Sequence, residues 1–317
     1  MDSMTYPYSV DYNDHFETPR SAYEHILPLL DAVQQPVNNS RTSSRGKTTG
    51  APSCTRRNHI IYDPYYCNGR AKELMQAFGF EKVVHEKRDF YRDIKENSVP
   101  RHETFITNPP YSSDHKERCV SYAVDQLRRQ PSKGREESAF FILMPNYVAV
   151  RNHFRAAIQA SDGTDEPKDI LYVVPPNPYE YEHPKGTGKD LPPFASIWFC
   201  GIPVRKVDAV KEAFRNVHGE HSVGIAQIGD LRSNNSPRLV STLQELKALG
   251  AVPTQKRKNL KQRLKAKRKL EQSSCVQANP HHTSVPTTMT VQMESVQKGN
   301  KKSRYRDNTG ARKKKRF

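Results

Sequence analysis

Cysteine is scarce in this sequence, and no two cysteines are spaced to hold a metal. Cys54, Cys67, Cys119, Cys200 and Cys275 are the five among 317 residues, and no C-x-x-C pair occurs. That pattern excludes a disulfide framework and a zinc ribbon and fits a reducing compartment. Long apolar runs are missing too. None spans a bilayer, and Met1 is followed by acidic and aromatic residues rather than an apolar segment, so a soluble, non-secreted protein without a membrane partner is expected. Acids are few at one end: beyond Ala251, nineteen Lys and Arg face only Glu271, Glu294 and Asp307. Nearly all of the formal charge of +17 sits there, leaving the first 250 residues close to neutral. A near-neutral body with a basic tail points to a polyanionic partner, nucleic acid first.

Although 35% of the residues are hydrophobic against 27% charged, the apolar runs between residues 59 and 202 suffice for one core. His59-Ile60-Ile61-Tyr62 reads as a strand that ends in Asp63-Pro64, turns through Tyr65-Tyr66-Cys67-Asn68-Gly69 and enters a helix from Ala71 to Phe78 capped by Gly79. Strand, tight loop and helix form the opening unit of a nucleotide-binding α/β fold, whose ligand sits past the strand ends. Asp63 can accept from a ligand's ammonium group. Gly69 can let backbone approach the ligand, and Asn68 can take positive φ in a turn that has one glycine. Cys67 reads as a small buried thiol or as a nucleophile.

Glu81 to His85 reads as a second strand. Asp89 then reads as the cap of the turn from Tyr91 to Ile94 or, in the family resemblance given below, as an acid that accepts a hydrogen bond from a ligand while Phe90 packs on its base. Thr104-Phe105-Ile106-Thr107 is a buried strand that breaks at Asn108-Pro109-Pro110-Tyr111, where two prolines remove two donors and stiffen the turn. Such a turn is either an ordinary strand exit or a site. As a site, the Asn108 side-chain oxygen and the Pro109 carbonyl accept from one amino group, and Tyr111 stacks on the ring that carries it. Asp63 and Asn108 are 45 residues apart, room for helix, strand, turn and strand, which brings both to one edge of a parallel sheet.

The Asn-Pro-Pro-Tyr motif resembles that of S-adenosylmethionine-dependent amino-methyltransferases, above all those acting on adenine N6. The resemblance spans residues 15 to 202 and implies an α/β, Rossmann-like class I methyltransferase, with a mostly parallel sheet and helices on both faces. It implies Asn108, Pro109, Pro110 and Tyr111 as catalytic residues. It implies S-adenosyl-L-methionine as cofactor, held by Thr18, Asp63, Pro64, Tyr65, Gly69, Asp89 and Phe90. Thr18 would touch the methionine end; read locally, it is the N-cap before Pro19 of a helix with Ala22, Ile26, Leu30 and Val33 on one face, which Pro28 should kink or end. The loop departs from the family in having only Gly69, and the holder of the ribose is open, Glu86 being one candidate.

Further along, Asp114 should cap a helix carrying Val120, Ala123 and Leu127, with His115 either facing solvent, the preferred reading, or close enough to the site to contact substrate. The run from Ala139 to Tyr147 is a central strand, followed by a short helix (Asn152 to Gln159) and strands at Ile170–Val174 and Phe194–Cys200. Between those strands, residues 175–193, with Tyr179 and Tyr181, form either a wall for the target base or a long hairpin with packing tyrosines. The expected organisation is a methyltransferase domain at 1–205 with a flexible insertion at 36–58, accessory helices at 206–250 (Val207 to Phe214, Leu239 to Leu249), and a basic, largely disordered tail at 251–317. The tail reads as a nuclear or nucleolar address, a phosphate-binding arm, or both. RNA or DNA is the expected partner, engaged through the tail and the 175–193 loop. A protein glutamine amide as acceptor and a nucleic-acid-binding protein without catalysis are the alternatives; oligomeric state has no signature.

Overall fold

Burial on both sides of a sheet organises the chain. In the computed structural model the described residues are 16–36, 53–129, 137–159, 167–181, 195–224 and 235–253, all within one unit, Met1–Arg257. The basic tail beyond residue 253, and most of the expected insertion and of the 175–193 loop, lie outside them. Seven strands run β1 (Ile60–Tyr62), β2 (Lys82–Val84), β3 (Thr104–Thr107), β4 (Ala139–Pro145), β5 (Ile170–Val174), β6 (Ser196–Gly201) and β7 (Arg238–Val240). They form one sheet in the order β2-β1-β3-β4-β6-β5-β7. The helices are α1 (Arg20–Gln34), α2 (Ser53–Asn58), α3 (Arg70–Ala77), α4 (Phe90–Lys95), α5 (His115–Leu127), α6 (Asn152–Ile158), α7 (Val207–His218) and α8 (Leu243–Ala248).

Residue alternation in the strands explains the layering. On β4, Phe141 and Leu143 enter one apolar cluster with Ile26 of α1, Met75 of α3 and Phe214 of α7. Phe140, Ile142 and Met144 enter the other, with Phe90 of α4, Val120 of α5, Phe154 of α6 and Leu246 of α8. Successive side chains of a strand point to opposite faces, so a strand apolar at every position is covered on both. The protein is therefore α/β, with helices on both faces of its sheet.

The sheet is mixed. β2, β1, β3 and β4 pair in parallel, whereas β6 is antiparallel to both β4 and β5, and β7 to β5. Five strands thus share one direction and two oppose it. β5 follows α6 as a crossover and leaves an empty slot beside β4. The chain then turns back to fill that slot with β6, a return that only antiparallel pairing permits without a second crossover.

Several local expectations are corrected. α1 runs unbroken through Pro28: the one hydrogen bond lost is to exposed Glu24, while Ala22, Ile26, Leu29 and Leu30 are wholly buried, and tertiary burial outweighs a single bond. Pro19, not Thr18, is its N-cap. The end of the 36–58 segment is helical (α2), and Arg56 grips Asp31 through Nε at 2.6 Å and the Phe78 carbonyl at 2.7 Å. The helix expected from Leu239 is preceded by a strand, β7. Thr242 and Glu245 form a reciprocal capping box that starts α8 only after it. Both α7 and α8 bury apolar residues against the sheet. No helix among the described residues is long and apolar enough to cross a membrane.

Gly201 on β6 lies against the Phe140 ring, where an added Cβ would stand 2.1 Å from Cε1. Gly201→Ala is therefore expected to lower stability by about 1–3 kcal/mol through overpacking, read as an earlier midpoint in denaturant at unchanged slope.

Candidate functional site

β1 is flanked by β2 on one side and β3 on the other, so the chain leaves the carboxyl ends of β1 and β3 in opposite directions. A crevice opens at such a switch point. Here it is narrow, a cavity of about 30 Å³, and Thr18, Asp63, Tyr65, Cys67, His85 and Asn108 are on its wall. Three residues expected to act together, Thr18, Asp63 and Asn108, are thus brought to one place from three segments.

Asp63 is buried, 7% exposed. Its Oδ1 accepts from Thr107 Oγ1 at 2.6 Å and from the Tyr65 amide at 3.2 Å, while Oδ2 stands 3.6 Å from His85 Nδ1. Burial pushes its carboxyl above the ordinary range, with His85, Thr107 and the Tyr65 amide opposing. A buried carboxylate with this residual strain favours a cation. Thr18 is buried and bonds the Tyr23 phenol, whose ionisation burial and then Asp63 disfavour. Pro64 is buried.

The loop after Tyr65 departs from expectation. The left-handed residues are Cys67 (φ 44°) and Gly69 (φ 90°), not Asn68. Gly69 is off the crevice wall. Besides its φ, its missing side chain makes room for Tyr66, whose hydroxyl an added Cβ would meet at 2.9 Å. Burial pushes the Cys67 thiol up to about 11, which disfavours a thiolate nucleophile at neutral pH; the side chain is half-buried rather than buried as expected.

Asp89 caps α4, accepting from the Tyr91 and Arg92 amides at 3.0 and 3.1 Å. Phe90 is wholly buried, ringed by Tyr62, Tyr65, Phe105 and Tyr122. Its enclosure corrects the expectation of a ring packed on a ligand's base, and the capping alternative accounts for Asp89. Glu86 is exposed and lies 3.8 Å from Arg88.

At the other motif Pro109 and Pro110 are buried and Asn108 is half-buried. Asn108 Nδ2 donates to the Phe16 carbonyl at 3.3 Å. The Tyr111 hydroxyl lies 2.7 Å from Asn108 Oδ1 and 3.3 Å from the Leu143 carbonyl, and burial holds that phenol well above its usual range. Tyr111 is thus turned inward onto the oxygen expected to receive an amine, rather than outward as a stacking platform. Lys116 donates to the Tyr111 carbonyl. His115 is buried, 5% exposed, and bonds and stacks on Tyr91, which corrects its expected solvent-facing place. Asp114 is the N-cap of α5, as expected, but its side chain makes no cap bond.

Of the 175–193 segment, Tyr179 and Tyr181 are buried at 3% and 8% exposure, with Tyr179 Oη 2.9 Å from His25 Nδ1. These two pack the core rather than walling a base. Sequence reasoning missed Phe16, Glu17, Tyr66, Arg70 and His85, all on the crevice wall. Arg70 bonds Glu17 at 3.4 Å across 53 residues, a pairing with no local pattern. His85 was findable as the residue leaving a strand that borders the crevice. Among the described residues no cluster of His, Cys, Asp or Glu could hold a metal ion. Compared with known proteins, the chain matches no family model and no curated protein sequence.

Proposed function

We propose that this protein is an S-adenosylmethionine-dependent methyltransferase with a Rossmann-like class I fold. Its target is an exocyclic amino group of a nucleic acid base, adenine N6 of RNA or DNA being favoured. The observation that carries the reading is the meeting of Asp63 and Asn108 in one crevice at the sheet's switch point. The residues fit the cofactor: a buried carboxylate raised by desolvation suits an ammonium group, and Thr18 and Glu17 add oxygen acceptors on the same wall. When bound, S-adenosylmethionine supplies an electrophilic methyl group.

The chain's own part is positioning. Asn108 Oδ1 and the Pro109 carbonyl oxygen accept the two N–H bonds of the target amine and leave its lone pair aimed into the crevice. The paired prolines hold those acceptors at fixed separation, so alignment is prepared before the amine arrives. For the amine to dock, the Tyr111 hydroxyl gives up Asn108 Oδ1 and the ring turns out to cover the base, which has left its stack. The basic tail attracts the nucleic acid and directs the protein to the nucleus or nucleolus.

Tyr111→Phe tests the inward contact. The ring survives and Asn108 Oδ1 loses its competitor, so methyl transfer is expected at wild-type level or above, with stability lower by about 1 kcal/mol. Transfer assays with labelled methyl on unstructured RNA and DNA, beside thermal melts, check both; a collapse of transfer would make the hydroxyl part of the chemistry instead. The reading as a whole is tested by whether adenine-containing single strands acquire methyl groups and inosine-substituted ones do not.

A further inference from the structure

One residue of the crevice wall carries a buried polar atom that no described residue answers. His85 leaves the end of β2 and is 3% exposed. Its ring is fixed from two directions: Nδ1 lies 3.1 Å from the Asp63 carbonyl oxygen, and Tyr66 stacks on the ring with centroids 5.0 Å apart and planes 26° from parallel. The Lys87 ammonium in turn sits 5.4 Å from the Tyr66 ring. A carbonyl can only accept, so Nδ1 carries a proton, and the other ring nitrogen, Nε2, is left to meet a ligand. That Nε2 is buried and has no hydrogen-bond partner among the described residues. Buried polar atoms are nearly always satisfied, and each exception calls for a reason.

The position supplies one. In open α/β sheets that bind nucleotides, the end of the second strand meets the ribose, where an acid commonly accepts from a hydroxyl. The acid of this chain at that point, Glu86, is exposed beside Arg88 and is not on the crevice wall. His85 is. A metal is a poor alternative, since no cluster of metal-binding side chains occurs among the described residues.

We infer that His85 recognises the ribose of the bound nucleoside, Nε2 sharing a hydrogen bond with its 2′- or 3′-hydroxyl. The inference rests on the cofactor reading above and adds the residue that reads the sugar. Asp63 then ties both ends together: its carboxylate faces the ligand's cation, and its backbone carbonyl sets the tautomer of the group that faces the ribose.

The test is a calorimetric titration of the full chain with S-adenosylhomocysteine and with its 2′-deoxy and 3′-deoxy forms. His85→Asn keeps an amide near Nδ1 and deletes Nε2, whereas His85→Gln returns an amide to the reach of Nε2. Wild type is expected to bind one deoxy form ~10-fold more weakly than the intact ligand, the loss of one good hydrogen bond. His85→Asn is expected to bind the intact ligand ~10-fold more weakly and to stop distinguishing the deoxy forms, with partial recovery in His85→Gln. Equal wild-type affinity for all three ligands, or undiminished discrimination in His85→Asn, would overturn the assignment while leaving the cofactor reading intact. Failure of wild type to bind the intact ligand would overturn both. Should His85→Asn not fold, the wild-type comparison of the three ligands decides alone.

Discussion

Asn108→Ala is expected to lower methyl transfer by about 10²–10³-fold while S-adenosylmethionine binds within a few-fold of wild type. The split follows from where the side chain stands. Asn108 touches the crevice wall, but its oxygen points at the Tyr111 hydroxyl and its amide at the Phe16 carbonyl. Deleting it removes an acceptor for the target amine without altering Asp63, Thr18 or His85. Both lost bonds are half-buried and link motif residues to neighbours, so stability should fall by about 1 kcal/mol for each. Single-turnover transfer beside calorimetric binding separates the cases. Loss of cofactor affinity equal to the loss of transfer would make Asn108 a structural residue of the crevice.

Asp63→Asn should separate stability from binding. Asparagine keeps an Oδ1 to accept from Thr107 and the Tyr65 amide, the two bonds made now, but carries no charge. Because burial raises the carboxyl of Asp63 in the folded protein, the unfolded chain releases that proton more readily than the folded one. The group's contribution to stability is therefore full below its unfolded value and is lost as pH rises through the raised folded value. Asp63→Asn escapes that loss. It should melt at or above wild type at neutral pH, with a smaller advantage in acid, and it should bind a cationic cofactor at least ~100-fold more weakly, the cost of one buried charge partner. Thermal melts across pH and titration of the ligand give both signs. A variant less stable at neutral pH than in acid, relative to wild type, would contradict the desolvated carboxylate.

The parts of this fold legible in the sequence are those written in local pattern. The apolar runs at Ile60–Tyr62, Thr104–Thr107, Ala139–Pro145 and Ile170–Val174 are strands. Gly79 closes α3 with its amide on the Gln76 carbonyl and the Phe80 amide on that of Met75, the pairing a left-handed glycine allows. Asp63 and Asn108 were legible because each stands where a strand breaks. What escaped depends on tertiary burial. Pro28 sits in mid-helix because the inner face of α1 outweighs its missing bond. His115 looks like a surface residue until Tyr91 is placed against it. β7 was hidden in a stretch taken as one helix, although the Thr242 and Glu245 box marks where the helix begins. Turn chemistry misled once more at Cys67, a residue rarely left-handed, which takes the conformation expected of Asn68 beside it.

The cofactor itself offers the most direct test of the central claim. Titrating S-adenosylmethionine into wild type and Asp63→Asn, each shown by its melt to be folded, should give saturable binding to wild type with a Kd below about 100 μM, roughly −5.5 kcal/mol, and none to the variant. A folded wild type that takes up no S-adenosylmethionine would contradict the methyltransferase account. The basic tail would then be left as the part of the chain with an argued partner.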